Sequence, residues 1–401
     1  MKEEFSLSAK DSQLFLKYFN SILRDHQFGM IKGNGSSYFK NNEYITEESV
    51  NYTYNGKDYY TDWLIKQKPD GTLMSIENLN TVDDDGKYDL ELSQIINKTL
   101  QKVINKKTET FFKRTYYRTI SGCNLPGEYW FNKTIRFAPL FSDDKSSLVN
   151  AERIVVVDLN VDAIDTIHAN EIANEKSSIL ISYLSFILDI SFELPNIQEL
   201  YFLNRNSNNK FEMERKSTQL IDNSNINKMP KKGELCSLGK YKDSIFDKNR
   251  YLNRKLICPK ETRKIINGIE KANDKNKLAF QRCCLLYKIS KKISFSLPTA
   301  MLSYEYAAVD SIVKTLNDKY PSFSFFMTKY AGENQNLYDF IHSDIRSAHF
   351  HSGKFSLGDF DFNQDFIRNP QKHITFNIIK LSHEIIRKAI LNWLDELIKF
   401  S

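Results

Sequence analysis

From Leu278 to the end of this 401-residue chain, apolar residues recur at intervals of three and four. Leu278, Leu285, Leu286, Ile289 and Ile293 form one stripe, and Leu302, Val309, Ile312, Val313 and Leu316 form a second. Pro298 stands ahead of the second stripe, in the first helical turn, where its missing N–H has no partner to lose. Leu337, Ile341, Ile345 and Ala348 make a third stripe; Ile378, Leu381, Ile385, Ala389, Trp393 and Leu397 make a fourth. Spacings of this kind put one apolar face on a helix and none on a strand. Helices with one such face bury it against each other, so residues 277–401 are predicted to form a four-helix bundle.

Upstream the period shortens to two. Val50–Tyr54 and Lys57–Thr61 alternate β-forming residues on either side of Asn55-Gly56, the pair best suited to a two-residue hairpin turn. Asp70-Gly71 and Asp85-Gly86 repeat that punctuation, which predicts an antiparallel meander. Further strands are expected at Phe111–Ile120, Tyr129–Phe137 and Arg153–Leu159, and helices at Leu14–Leu23 and Ser177–Ile190, the latter ended ahead of Pro195. Beyond Asn204 the chain becomes dense in Asn, Lys, Asp and Arg. Its basic pairs Lys231-Lys232 and Arg254-Lys255 are interleaved with Glu212, Glu214 and Asp247, the pattern of a solvated connector. The expected class is therefore α+β: a strand-rich α+β region over 1–205, a polar basic connector over 206–276, and the helical bundle.

A hydrophobic fraction of 41% with 13% aromatics is that of a folded protein, and 56 basic against 50 acidic residues, net +6, permits nucleic-acid binding without requiring it. Cysteines 123, 236, 258, 283 and 284 show no C-x-x-C spacing, which argues against a disulfide framework or a zinc knuckle and for a reducing cytoplasm. Acids near the N-terminus do not suit a signal peptide, and the most apolar segment, Ile179–Phe192, is short and interrupted by Asp189, so no membrane partner is expected. Trp63, Trp130 and the run Tyr52–Tyr60 read as core or cross-strand aromatics, and Gly33-x-Gly35 as a turn.

The chemistry concentrates in Asp344-Ile345-Arg346-Ser347-Ala348-His349-Phe350-His351-Ser352-Gly353. Five of the seven histidines, at 342, 349, 351, 373 and 383, lie in the last part of the chain. On a helix His342, Arg346 and His349 share one row, whereas His351, five residues past Arg346, falls about 140° away. Gly353 is the expected helix stop, and relaxation of the last turn would bring His351 toward Arg346. A histidine there also feels the negative helix end, which favours its protonated form. The spacing of His342, His349 and His351 is not that of a helical metal pair, and no metal or other cofactor is expected. Asp310 is the preferred acidic candidate on the second helix. Glu305 falls on the apolar stripe and needs a partner such as Arg282.

The segment Tyr338–Gly353 resembles the motif of HEPN domains, an arginine, four to six residues and then a histidine on the third helix of a four-helix bundle. Its arginine-serine start and nearby glycine are most similar to the Apea-like HEPN group, and Ala307-Ala308-Val309-Asp310-Ser311-Ile312 resembles that group's second helix, where glutamate is common at the position of Asp310. The resemblance covers about residues 278–400. It implies a homodimer that pools two motifs and a metal-independent endoribonuclease that cuts RNA by attack of the 2′-hydroxyl. By the same resemblance Arg346 is the phosphate clamp, His351 the general acid or base, and Asp310 or Ser347 the group that orients them. His349 and His342 are RNA-binding or alternative catalytic residues. It further implies a toxic effector of bacterial antiphage defence, acting by abortive infection, with the N-terminal region as sensor of a phage-derived protein trigger. The alternative is a non-catalytic HEPN module that dimerises and binds RNA or a nucleotide.

Overall fold

Alternating side chains organise the first part of the chain. The computed structural model describes residues 2–25, 36–54, 57–79, 87–105, 108–119, 125, 127–140, 154–195, 201–205, 211–215, 226, 228–230, 238–239, 256, 258–293, 297–359 and 370–399. Strands β1 (Lys2–Glu4), β2 (Ser36–Lys40), β3 (Glu43–Tyr54), β4 (Lys57–Gln67) and β5 (Leu73–Asn78) form an antiparallel sheet in the order β1-β5-β4-β3-β2. The predicted hairpin is present, with Tyr54 opposite Lys57 and an unbroken register to Tyr44 opposite Gln67. Asn55-Gly56, Asp85-Gly86 and Gly33-x-Gly35 lie outside the described residues. At the Asp70-Gly71 turn, Gly71 adopts φ +86° and Asp70 Oδ1 accepts from Thr72 N at 2.9 Å, which shows why those residue types stand there.

Helix α1 (Ala9–Asp25) covers the helix expected at Leu14–Leu23 and packs on this sheet, together with α2 (Lys87–Asn105), which was not anticipated in a stretch read as strands and turns. Ile95, Thr99 and Val103 are buried four apart along α2. The shared core comprises Leu14, Phe15, Tyr18 and Phe19 from α1, Trp63, Ile65, Leu73 and Ile76 from the sheet, and Ile95, Ile96 and Val103 from α2. Trp63 meets Phe19 edge-on at 5.2 Å, so this tryptophan is core, as read. Burying each large apolar side chain contributes roughly 1.5–3 kcal/mol.

The chain divides into two compact units. One is Met1–Glu109 with Asp162–His168; the other is Thr110–Val161 with Ala169–Ser401. This division falls elsewhere than the expected boundaries at 205 and 277. The reason is helix α3 (Thr166–Leu188), whose side chains from Leu180 to Leu188 are all buried, and whose end is tied to the helices that follow. A helix apolar all round is a core helix, and the segment considered for a membrane is this one. Among the described residues no helix is long and apolar enough to cross a membrane.

The second unit holds a five-stranded sheet, β10-β6-β9-β8-β7, from β6 (Glu109–Thr119), β7 (Tyr129–Trp130), β8 (Ile135–Pro139), β9 (Ile154–Ala163) and β10 (Phe192–Glu193). The single strand expected over Tyr129–Phe137 is instead a hairpin, Tyr129 opposite Phe137, because Asn132 Oδ1 accepts from Thr134 N at 2.7 Å and turns the chain. Asp158, fully buried on β9, receives Arg114 through two hydrogen bonds of 2.6 and 3.0 Å and Arg136 at 2.7 Å. Where described, the predicted connector contains β12 (Phe211–Arg215), which pairs antiparallel with β11 (Tyr201–Arg205) just ahead of it, a short parallel pair of β13 (Leu238–Gly239) and β14 (Cys258–Pro259), and helix α4 (Thr262–Lys271). Ile265, Ile266 and Ile269 of α4 are buried. Lys231-Lys232 and Arg254-Lys255 lie outside the described residues.

The remaining helices are α5 (Asp274–Ile293), α6 (Pro298–Thr315), α7 (Phe323–Ala331), α8 and α9 (Pro370–Lys399). Helix α8 starts at Gln335–Phe340, continues through a π-helical stretch, Ile341–Ser347, and ends as α-helix over Ala348–Ser352. The second predicted stripe is buried throughout. The first is not: Leu278, Leu285 and Ile289 are exposed, and α5 instead buries Ala279, Phe280, Cys283, Cys284, Tyr287, Ser290 and Lys291. In α9 Leu381 is exposed, while Ser382, His383 and Arg387 join Ala389 and Trp393 inside. Helix α7 was not read from the sequence. Ser322 caps it by accepting from Phe325 N at 3.1 Å, and Gly332, at φ +101°, ends it. The molecule is thus a mixed α+β protein.

Candidate functional site

Tyr306, Asp310 and Lys314 stand four apart on α6 and so share one face. Asp310 Oδ2 pairs with Lys314 Nζ at 2.8 Å and, across to α8, with Arg346 Nη2 at 3.8 Å. Two cations thus share one carboxylate, and the group carries one net positive charge. Arg346 lies 5.6 Å above the Tyr306 ring and 5.9 Å from that of Phe350, so two aromatic rings pack beside the guanidinium. Burial, with Asp310 adding to it, keeps the Tyr306 phenol above its ordinary range, so it stays protonated near neutral pH. The Arg346 side chain is 23% exposed, yet its Nε is buried and has no hydrogen-bond partner among the described residues. His349 Nδ1 is in the same condition. Its ring packs against Phe350 at 5.2 Å and Phe355 at 4.8 Å.

The backbone around Arg346 is set by the π-helical stretch. A π-helix widens the turn and changes which carbonyls find partners, and such segments recur at functional sites. Here neighbouring hydroxyls make up the difference: Ser356 Oγ donates to Asp344 O at 2.9 Å, Ser343 Oγ to Asp339 O at 2.6 Å, and Ser303 Oγ of α6 to Ile345 O at 3.5 Å. The loop that supplies Phe355 and Ser356 is anchored in turn. Asp359 accepts from Thr299 N at 2.7 Å and from the Thr299 hydroxyl, which itself accepts from Leu357 N at 3.0 Å. A carboxylate from a distant loop therefore caps the start of α6.

Of the predicted site residues, Arg346 and Asp310 come together, and His342 joins them through Tyr306, its ring 5.5 Å from the phenol ring. Ser347 is half-buried beside Arg346 and its hydroxyl makes no hydrogen bond among the described residues. His351 is exposed in the final turn. The expected relaxation of that turn is absent. Ala348–Ser352 is regular α-helix, closed by Gly353 at φ +62° with its N–H on His349 O at 3.0 Å, and the departure from α geometry lies before Ala348. His351 accordingly keeps its separate face. Tyr306, Lys314, Phe350 and Phe355 belong to the site and were missed. Tyr306 and Lys314 had a signal, their four-residue spacing about Asp310; Phe355 had none, since a loop carries it.

A second polar cluster lies wholly inside the same unit. His383 of α9 sits between Glu305 of α6, with Nδ1 2.9 and 3.0 Å from the two carboxylate oxygens, and Asp189, with Nε2 3.2 Å from Oδ2. Lys291 of α5 reaches Asp189 at 3.1 Å and Glu305 at 3.0 Å, and Tyr287 donates to Asp189 Oδ1 at 2.5 Å. Glu305 has therefore found partners, but not the expected Arg282, which donates to Thr315 Oγ1 at 3.2 Å. Burial opposes charge on Asp189, yet Lys291, His383 and Arg387 outweigh it and hold that carboxyl well below its ordinary range. Glu305 is lowered against burial by His383 and Lys291. His383 is raised against burial, chiefly by Glu305, which favours its protonated form. All of these side chains are buried, and the cluster joins helices.

Among the described residues no three His, Cys, Asp or Glu side chains gather as metal ligands. No family model matches the chain, and neither a curated protein nor a solved structure shows significant similarity to it.

Proposed function

We propose that this protein is a metal-independent endoribonuclease of HEPN type, with Arg346 as its phosphate-binding residue. The observation that carries this reading is the state of Arg346: it is paired with Asp310, packed beside two aromatic rings, part-exposed, and left with an Nε that has no partner among the described residues, on the helix that also carries three histidines. A planar guanidinium with spare donors suits two phosphate oxygens on which charge builds as a 2′-hydroxyl attacks phosphorus. A histidine within reach of that hydroxyl or of the leaving 5′-oxygen moves the proton. His351 takes this part by the HEPN resemblance, and His349, closer to the aromatic wall around Arg346, is the alternative. Asp310 orients Arg346; Lys314 adds positive charge at the edge. The products are a 2′,3′-cyclic phosphate and a 5′-hydroxyl. A homodimer would set two such motifs face to face, with helices α5, α6, α8 and α9 as the four of the bundle. In the same reading the first part of the chain senses a phage-derived trigger and releases a toxic activity in abortive infection.

One observation favours the other reading, a bundle that dimerises and only holds RNA or a nucleotide. His351 is exposed and makes no contact with Arg346 among the described residues. A labelled RNA incubated with full-length protein separates the two readings. A nuclease shortens it, whereas a binding module retards it on a native gel at full length.

A further inference from the structure

Phe350 stands out in this site as an exposed aromatic residue. It lies between His349 and His351 on α8 and is 43% exposed. It is also held in place. Tyr304 of α6 meets its ring edge-on at 5.6 Å, the His349 ring lies at 5.2 Å, and the Arg346 guanidinium is 5.9 Å from its centroid. An exposed aromatic ring fixed by three neighbours loses little freedom when something flat is laid against it. A nucleotide carries such a flat group, its base, a few bonds from the phosphate that Arg346 is suited to hold.

We infer that Phe350 is a stacking platform for a nucleobase of the RNA strand whose phosphate contacts Arg346. This rests on the reading of Arg346 as a phosphate-binding residue. Base–aromatic stacking tolerates any base, because every base has a π-face, so Phe350 adds affinity and positions the strand without reading its sequence. A base paired in a helix cannot reach the ring, and the platform therefore selects unpaired segments.

The test uses full-length protein and a fluorescent RNA carrying 2′-deoxynucleotides, which it can bind and cannot cut. Phe350→Leu is expected to weaken binding about ten-fold and Phe350→Trp to preserve it, the scale of one base–aromatic stack. An otherwise identical strand with abasic positions should bind wild type about as weakly as Phe350→Leu binds the intact strand, and should bind the two proteins equally. Equal binding of the intact strand by wild type and Phe350→Leu would overturn the inference. So would a change in oligomeric mass on Phe350→Leu, which would make the ring a contact between copies. Arg346→Ala tells this failure from failure of the underlying reading. If Arg346→Ala loses binding while Phe350→Leu does not, only the platform falls; if neither variant changes binding, both do.

Discussion

A guanidinium offers its N–H donors in a fixed plane, and Arg346 uses its Nη2 toward Asp310 at 3.8 Å while its buried Nε has no partner among the described residues. Leaving a buried donor unpaired costs about 1–3 kcal/mol, which a ligand accepting from it would recover. Arg346→Ala should reduce cleavage by about 100-fold or more, the usual cost of removing one donor from a developing oxyanion, as measured by initial rates on a defined RNA. Asp310→Asn should leave unfolding within about 1 kcal/mol of wild type, because the ion pair is part-exposed. Its effect belongs in the rate, lowered roughly ten- to a hundred-fold as Arg346 loses its orientation. The two histidines separate by the same assay. His351→Ala is expected to abolish cleavage with the fold intact; retained cleavage there, with loss in His349→Ala, would move the proton-transfer role to His349.

Helix α8 ends where Gly353 enters the left-handed region at φ +62°, and a Cβ at that position would meet nothing within 4 Å. Gly353→Ala is thus strained by its backbone alone, by about 1–2 kcal/mol, and should lower the thermal midpoint without disturbing packing. Thr299→Val strips the hydroxyl that links Asp359 to Leu357 and should cost about 1–3 kcal/mol, read by denaturant unfolding. Gly353 as a stop and the pairing of Val50–Tyr54 with Lys57–Thr61 were legible because both follow from local signals, a glycine free to take positive φ and an alternation of β-forming residues. The apolar faces of α5 and α9 were misread for a different reason. Ser290, Lys291, His383 and Arg387 occupy buried positions, so the most hydrophobic stripe, through Leu278, Leu285 and Ile289 on α5 and Leu381 on α9, is not the inward one. Periodicity assumes a core without charge, and here the core contains it. Within the site, residue types named Arg346 and Asp310, whereas the aromatic walls from Tyr306 and Phe355 needed the packing of α6, α8 and the anchored loop.

At the scale of the molecule the buried ions join α3, α5, α6 and α9. Asp189, at φ +55°, ends α3, and Arg387 of α9 donates to Phe186 O and, at 3.0 Å, to Ile187 O at the same helix end. Removing one member leaves charges unpaired in the interior, so His383→Ala should destabilise by about 3–5 kcal/mol. The pH dependence follows from the directions. The lowered carboxyls of Asp189 and Glu305 contribute stability above their ordinary values of 3.8 and 4.5, and this is lost as pH falls through their values in the folded protein. The raised imidazole of His383 contributes stability that is complete below 6.5 and lost as pH rises through its folded value. Denaturant midpoints should therefore be highest between those limits, and His383→Gln should flatten the alkaline side. This framework presents α6 and α8 to each other, and the functional account depends on what Arg346 does there. The decisive measurement is incubation of full-length wild type and Arg346→Ala with total RNA in EDTA, followed by analysis of the new ends. Cleavage by wild type alone, leaving 2′,3′-cyclic phosphates and 5′-hydroxyls, is the expected result. RNA left intact by wild type, or cut equally by Arg346→Ala, would contradict it.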